Sequence, residues 1–384
     1  MESGEEILPV ALDWLEKNRE RDNWFLHVHL WDPHTPYRAP MEFGNPFNND
    51  QLNTWIDSEI LEQHKKMTGP HSIRDLNMYN DDTNPKYPRA LGKADNLDGL
   101  KAVFDGYDCG IKYADSLIGQ IFDLLKRQGI YKDTAIMITS DHGENMGELG
   151  IYCEHGTADY PTCHIPFILK WPRAKKGVSD SELHYHLDIL PTVADLLNVE
   201  KCSNWDGKSF ANTVTCGEKS GRESLVLSQM AHVCQRSARF ENWLYIRTYH
   251  DGFRLFDREM LFDLAEDPYE QNDLSEKYPE VCVRGAKIIL DWYDEQMLRS
   301  QSQIDPLWTV IHEGGPFHAS EGMLRPYLER LEATGREEGD QRTFETPRET
   351  AIGMPEQMQK PSVVRNAAYP TVDWVLYRAY IQMG

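Results

Sequence analysis

Two short apolar segments with a long amphipathic helix between them constrain the fold of this chain more than any other feature of its sequence. Residues 24–30 (WFLHVHL) and 134–139 (TAIMIT) each have the apolar pattern of a buried strand. Between them, apolar side chains recur at helical spacing over residues 103–129. A strand, a helix and a strand in this order favour a right-handed crossover between parallel strands. With a further strand at 164–171 and a helix at 187–197, the pattern predicts an α/β fold with a mostly parallel sheet flanked by helices.

A different pattern follows in the second half of the chain. Short strand-like segments without long helices between them are typical of a small antiparallel sheet. They lie at residues 226–228, 243–247 and 260–264, and a helical pattern over 279–298 is expected to cover the sheet. The polar tail has one more helical stretch, at 320–333. The sequence therefore predicts an α/β domain over residues 1–215, a smaller antiparallel-sheet α+β subdomain over 216–300 and a C-terminal extension over 301–384.

The charge balance excludes two classes of partner. Asp and Glu number 62 against 40 Lys and Arg, which gives a formal net charge of −22. A surface this acidic repels phosphate backbones and anionic lipid headgroups, so we expect neither a nucleic-acid nor a membrane partner. The seven cysteines are scattered and form no C-x-x-C pair, which favours a reducing compartment. With no apolar leader visible, the sequence predicts a cytoplasmic location.

Polar side chains follow both strands of the predicted crossover. Asp32 and His34, between two prolines, follow the first strand, and Asp141 and His142 follow the second. Ligands of open α/β sheets bind at the carboxyl ends of the strands, so we expect these side chains to meet in one cleft. An oxygen and a nitrogen ligand on adjacent residues can form half of a divalent-metal site. Asp141 could instead cap a helix, because Asp is a good N-cap residue.

Four segments together resemble the sulfatase branch of the alkaline phosphatase superfamily. The first, SDHGENMGELGIYCEHGTADYPTCHIPFILKWP at residues 140–172, is similar to the family's S-D-[NH]-G strand end, glycine-rich loop and proline-bearing strand. The others are FLHVHLWDPHTPY at 25–37, LDILPT at 187–192 and LFDLAEDPYEQNDLS at 261–275, in the family's order. The resemblance covers about residues 5–298, and it implies an alkaline phosphatase-like fold and hydrolysis of sulfate monoesters.

The resemblance also implies roles for four residues. Asp141 and His142 match two ligands of the family's divalent cation, which is most often Ca²⁺, with Mg²⁺ or Mn²⁺ as alternatives. His34 matches the histidine that faces the sulfate group. His155 stands where many members have a lysine, and an imidazole there could donate a proton to the departing alkoxide. His155 could equally cap local structure.

Five further residues are candidates for contacting the substrate. Asp32, Tyr37 and Arg38 surround His34 in the sequence, and His232 and Arg236 could project from the second domain toward an anionic ester. Packing against the prolines would also explain Tyr37. His232 and Arg236 could equally well be exposed charges at a strand edge.

The sequence departs from the family in one essential motif. In family members, the cysteine or serine that begins a C-x-P-S-R motif becomes the formylglycine nucleophile. No cysteine of this sequence begins such a motif. We therefore expect a sulfatase-like chain that lacks the N-terminal part with the first strand, binds metal weakly, is not competent alone and associates with other copies through exposed sheet surface. The expected substrate is a small-molecule or saccharide sulfate ester. A phosphoester or phosphonate hydrolase and a non-catalytic binding protein remain alternatives.

Overall fold

The computed structural model describes residues 2–53, 55–77, 81–319 and 323–336. The α-helices are α1 Gly4–Asn18, α2 Ser58–His64, α3 Leu97–Arg127, α4 Tyr160–Cys163, α5 Ile189–Leu197, α6 Ala211–Cys216, α7 Pro279–Arg299, α8 Pro306–His312 and α9 Leu324–Ala333. The strands are β1 Ile136–Thr139, β2 Asn145–Met146, β3 Tyr152–Glu154, β4 Phe167–Lys170, β5 Ser224–Gln229, β6 Cys234–Phe240, β7 Trp243–His250 and β8 Glu259–Asp263. Across these ranges, no helix is both long and apolar enough to cross a lipid bilayer.

The predicted central helix is confirmed as α3, which begins earlier than the apolar pattern indicates. The side chain of Asn96 accepts a hydrogen bond from the Gly99 amide at 2.8 Å and so caps the first turn. The helix α1 packs along α3 through a shared apolar cluster that includes Leu8, Tyr113 and Leu117. Together these two helices form the scaffold that carries the loop after residue 30.

The parallel pairing predicted for the first two strands is absent from the described residues. Residues 24–30 are extended but have no ladder partner, and Phe25 is 86% exposed. β1 pairs instead with β4 in antiparallel register, with Ile138 opposite Ile168. The connection from β1 to β4 holds only the β2–β3 hairpin and the short helix α4, so no long crossover helix brings β4 back in parallel. The predicted burial is also wrong for residues 24–30, none of which is buried. An apolar pattern does not identify the neighbouring strand.

The second half of the chain forms the predicted antiparallel sheet. Strands β5, β6, β7 and β8 are neighbours in sequence order. The helix α7 covers one face, and its backbone approaches so closely that a Cβ on Gly285 would lie 2.5 Å from Tyr245. The strand β6 was not predicted, because its sequence CQRSARF lacks an apolar run although most of its residues are buried.

The predicted C-terminal helix is confirmed as α9; residues 320–322 and 337–384 lie outside the described residues. The carboxylate of Asp75, which is fully buried, anchors it from the other side of the molecule. Arg330 Nε lies 2.9 Å from Asp75 Oδ1, and Arg336 Nη1 lies 2.7 Å from Asp75 Oδ2. The ring of Tyr327 stacks on Phe253 with centroids 5.3 Å apart. The contacts of Arg330 and Arg336 hold residues 323–336 against the loop at residues 68–75.

Candidate active site

Three imidazole rings from distant parts of the sequence converge at one point. His34 follows the extended segment 24–30, His142 follows β1, and His155 follows β3. Each ring offers one nitrogen, and these three atoms lie within 4.8 Å of one another. The rings of His142 and His155 are stacked with centroids 3.7 Å apart, and that of His34 lies edge-on, 5.7 and 5.9 Å away. The expected meeting of His34 with His142 thus occurs without parallel strands beneath it.

Hydrogen bonds fix the orientation of all three rings. In each ring Nδ1 lies within hydrogen-bond distance of an oxygen. For His34 this is the Thr35 carbonyl at 2.7 Å, for His142 the Gly143 carbonyl at 2.7 Å, and for His155 Glu154 Oε1 at 2.6 Å. A carbonyl or carboxylate oxygen only accepts, so Nδ1 carries the proton in each ring. In the neutral rings, Nε2 is therefore the nitrogen that keeps a lone pair.

A glycine next to His142 permits the tight packing of this loop. The Gly143 amide donates to the Thr162 carbonyl at 2.7 Å. A Cβ at position 143 would lie 1.9 Å from the Pro161 carbonyl oxygen, which is too close for any side chain. In the sequence SDHG, the glycine after His142 therefore packs directly against α4, where no larger residue fits.

Glu154 stands behind His155 and faces two more imidazoles. It is buried, and its carboxylate lies 3.1 Å from His71 Nε2 and 3.5 Å from His232 Nε2. Burial opposes ionisation of Glu154, but the hydrogen bond from His155 and the neighbouring rings of His71 and His232 together outweigh it, and the pKa of Glu154 falls well below its usual range. Burial lowers the pKa of His71 to about 4 and that of His232 to about 3. At neutral pH Glu154 is therefore an ionised carboxylate beside two neutral rings, those of His71 and His232.

His318 lies next to the group formed by Glu154, His71 and His232. Its ring stacks on His232 with centroids 4.0 Å apart, and burial lowers its pKa. Sequence reasoning missed His71, Glu154 and His318 as site residues. His71 lies in a turn and His318 in a short 3₁₀ helix, Phe317–Ala319, and neither segment carries a motif. Glu154 directly precedes His155 in the sequence, which was the one available signal.

Asp141 lies beside the three rings but outside their convergence. Its side chain is 69% exposed, and Oδ1 lies 3.7 Å from His142 Nε2. Partial burial works against ionisation, yet His142 and local backbone amides outweigh it and lower the pKa of Asp141. Asp141 therefore stands ionised at the rim.

Two residues predicted to contact substrate are instead buried in the scaffold. Asp32 is fully buried, and its Oδ1 accepts a hydrogen bond from the Gly4 amide at 3.1 Å, at the start of α1. Burial raises the pKa of Asp32. Tyr37 is 1% exposed in the apolar core, with its hydroxyl 3.4 Å from Glu144. The packing explanation of Tyr37 thus fits its position.

The two predicted arginines have structural partners. Arg38 donates to the carbonyls of Trp31 and His34 at 3.1 and 3.4 Å, and so braces the loop that carries the first imidazole. Arg236 is buried and pairs with Asp305 at 2.7 Å, beneath α7 and next to α8. The substrate contact proposed for Arg236 stays a prediction, and these partners argue against it. His232, by contrast, lies within the imidazole cluster.

The donor set does not fit the calcium ion that the resemblance implies. Ca²⁺ takes about six to eight oxygen ligands. The converging groups are three imidazole nitrogens. Of the two neighbouring carboxylates, Glu154 is engaged by His155 Nδ1 and Asp141 is exposed at the rim.

A large cavity opens beside the imidazoles. Its volume is about 1920 Å³, and its lining includes His142 and His155 at one end and residues of β4 and β5 along its sides. Phe167 and Leu225 contribute apolar surface, and Arg239 contributes a guanidinium. This volume exceeds the roughly 300–1,000 Å³ typical of small-molecule sites, so it can admit a ligand larger than a simple ester.

Comparison with known proteins gives concordant matches. Residues 1–199 match the family model described as Sulfatase. Choline-sulfatase of Rhizobium meliloti is 27% identical over 292 residues, which cover 72% of this chain and 52% of the relative. Arylsulfatase K of Gallus gallus is 31% identical over 307 residues, which cover 75% of this chain and 55% of the relative. The chain thus spans about half the length of these curated relatives.

Solved structures share the fold at low sequence identity. A protein in complex with its substrate D-glucosamine-2-N,6-O-disulfate matches with a TM-score of 0.63 and 18% identity, covering 79% of this chain and 72% of that one. Phosphonate monoester hydrolase of Agrobacterium radiobacter matches with a TM-score of 0.59 and 21% identity, covering 77% and 62%. These structures support the fold described above.

Proposed function

Because the chain belongs to the sulfatase family, we propose that it takes part in the hydrolysis of sulfate monoesters of small molecules or saccharides. The observation that carries the proposal is the convergence of His34, His142 and His155 beside a cavity open to a ligand. Choline-sulfatase and arylsulfatase K, the two relatives described above, support the same class of reaction.

His155 is the group best suited to move the proton in this reaction. Its Nδ1 proton is donated to the buried Glu154 carboxylate, which holds the ring in one orientation and leaves Nε2 as the nitrogen with a lone pair. Nε2 can then accept a proton and return it to the alkoxide as the S–O bond breaks. His34, braced by Arg38, approaches the same point from the other side.

Family members supply their nucleophile from the C-x-P-S-R motif, and this sequence does not contain it. Removing a nucleophile typically costs orders of magnitude in rate that binding and positioning do not restore. We therefore propose that the chain binds the ester and that turnover needs a formylglycine-bearing segment.

The test measures release of 4-nitrophenol from 4-nitrophenyl sulfate. The chain is assayed alone and again with the formylglycine-bearing segment of a relative added as a separate polypeptide. We expect little turnover alone, a clear gain with the segment, and loss of that gain in His155→Gln but not in His312→Gln, which changes an exposed histidine on α8. Robust turnover by the chain alone would reject the need for the segment. Equal turnover in both variants would reject the role of His155.

Phosphonate or phosphoester hydrolysis is the second candidate. The observations that favour it are the fold match to phosphonate monoester hydrolase and the histidine at position 142, where many sulfatases have asparagine. Comparing 4-nitrophenyl sulfate with 4-nitrophenyl phenylphosphonate in the same assay distinguishes the two. A higher kcat/KM for the phosphonate would favour the second candidate.

A further inference from the structure

The geometry points to a zinc-type metal site: we propose that His34, His142 and His155 bind one borderline divalent cation such as Zn²⁺ through Nε2, in preference to Ca²⁺. This site uses three imidazole nitrogens where the family resemblance implies oxygen ligands and calcium. It concerns metal binding by the folded chain and does not depend on the reaction proposed above.

The hydrogen bonds behind the rings carry the first step of the argument. Imidazoles that ligate a metal almost always donate their other N–H to a carboxylate or a backbone carbonyl, which fixes the tautomer. All three rings meet this condition, with Nδ1 on the Thr35 carbonyl, the Gly143 carbonyl and the Glu154 carboxylate at 2.7, 2.7 and 2.6 Å.

The spacing of the donor atoms is the second step. Zn–N bonds of about 2.0–2.1 Å in a tetrahedral shell place neighbouring ligand atoms roughly 3.4 Å apart. The three ring nitrogens lie within 4.8 Å of one another. The stacked rings of His142 and His155 have to tilt apart for both lone pairs to point at one ion. Asp141 Oδ1, 3.7 Å from His142 Nε2, is within reach as a fourth ligand.

The chemistry of the donors decides which ion fits. Imidazole nitrogen suits zinc, copper, iron and nickel, whereas calcium and magnesium prefer oxygen. Three protein ligands with a further position open to solvent are typical of catalytic zinc sites. The rings are half-buried, so an ion can reach them from the adjoining cavity.

A bound ion would also affect the proposed proton transfer. An ion on Nε2 of His155 takes the lone pair that would accept the proton, so the two uses of this ring exclude each other. We therefore expect Zn²⁺ to inhibit the hydrolysis that the complemented chain carries out.

The test is calorimetric titration of the full chain with Zn²⁺ and, separately, with Ca²⁺. The exposed Cys202 and Cys216 are first changed to serine, because free thiols bind zinc elsewhere. We expect one Zn²⁺ per chain and no displacement of it by a tenfold excess of Ca²⁺. His142→Ala and His155→Ala should each weaken zinc binding at least about tenfold, and Glu154→Gln by about tenfold. The control His312→Ala removes an exposed imidazole and should change nothing.

Far-ultraviolet circular dichroism checks that each variant folds. If an alanine variant does not fold, the visible spectrum of the Co²⁺-loaded unmutated chain is measured instead. Tetrahedral nitrogen ligation of Co²⁺ gives intense d–d bands. Zinc binding that persists in a folded His142→Ala/His155→Ala variant, displacement by calcium, or an octahedral Co²⁺ spectrum would overturn the proposal. The titration contains no ester, so its failure is distinct from failure of the hydrolysis assay.

Discussion

Replacing Glu148 by glutamine should stabilise the protein at alkaline pH and leave its stability nearly unchanged in acid. Glu148 is 7% exposed, and its Oε2 accepts a hydrogen bond from the Met146 amide at 2.7 Å. Burial, followed by the charge of Asp159, raises its pKa from 4.5 to about 7. Glu270 is also buried, and burial, followed by the charge of Asp159, raises its pKa well above the usual range. Glutamine keeps an oxygen acceptor for Met146 and removes the charge.

The pKa shift fixes both the sign and the size of the effect. Between pH 4.5 and about 7 the folded protein holds a proton on Glu148 that the unfolded chain has lost. Stability of the wild type therefore falls as pH rises through this window. The shift from 4.5 to about 7, at about 1.4 kcal/mol per pKa unit, corresponds to about 3 kcal/mol as an upper value.

The assay is urea unfolding of wild type and Glu148→Gln at pH 5 and pH 8.5. The difference in free energy of unfolding should be near zero at pH 5 and reach about 1–3 kcal/mol in favour of the variant at pH 8.5. The control Glu16→Gln changes an exposed residue on α1 and should show no such pH dependence. A Glu148→Gln difference that is the same at both pH values would refute the argument that this carboxyl is buried and protonated.

Three further changes test other parts of the structure. Asp75→Asn should destabilise the protein by about 3 kcal/mol, measured by urea unfolding, because it leaves the buried guanidinium of Arg336 without a charged partner; an unchanged midpoint would contradict this. Gly143→Ala should displace the loop carrying His142, since its Cβ would meet the Pro161 carbonyl oxygen at 1.9 Å; we expect at least about tenfold weaker zinc affinity by calorimetry, and wild-type affinity would disprove it. Asn96→Ala removes the N-cap of α3 and should cost about 1 kcal/mol, with a loss below about 0.3 kcal/mol counting against the cap.

Periodicity predicted the helices and the antiparallel sheet, because side-chain spacing alone determines which face is apolar. It could not identify the partner of β1, because pairing depends on which segments meet across long separations. The strand β6 was missed for a related reason: its Arg236 and Gln235 are buried against distant partners, Asp305 and Thr248, that local pattern does not reveal.

The site was predicted in part. The family resemblance singled out His34, His142 and His155, and the structure brings their rings together. The roles that the resemblance implies for them stay predictions. Asp32 was assigned to the site from its position in the sequence, yet its side chain turns back to the start of α1. Position along a strand end indicates where the backbone lies, but the hydrogen-bond partners available nearby decide where a carboxylate points.

The pairing of Asp75 with Arg336 has a consequence for the order in which the molecule is assembled. The two residues are separated by 261 positions, so they can meet only after almost the whole described chain has been synthesised. The β5–β8 meander has mostly local contacts and can form well before that. This late contact joins α9 to the loop at residues 68–75, which carries His71. During biosynthesis, we therefore expect the part of the site that His71 contributes beside Glu154 to mature last.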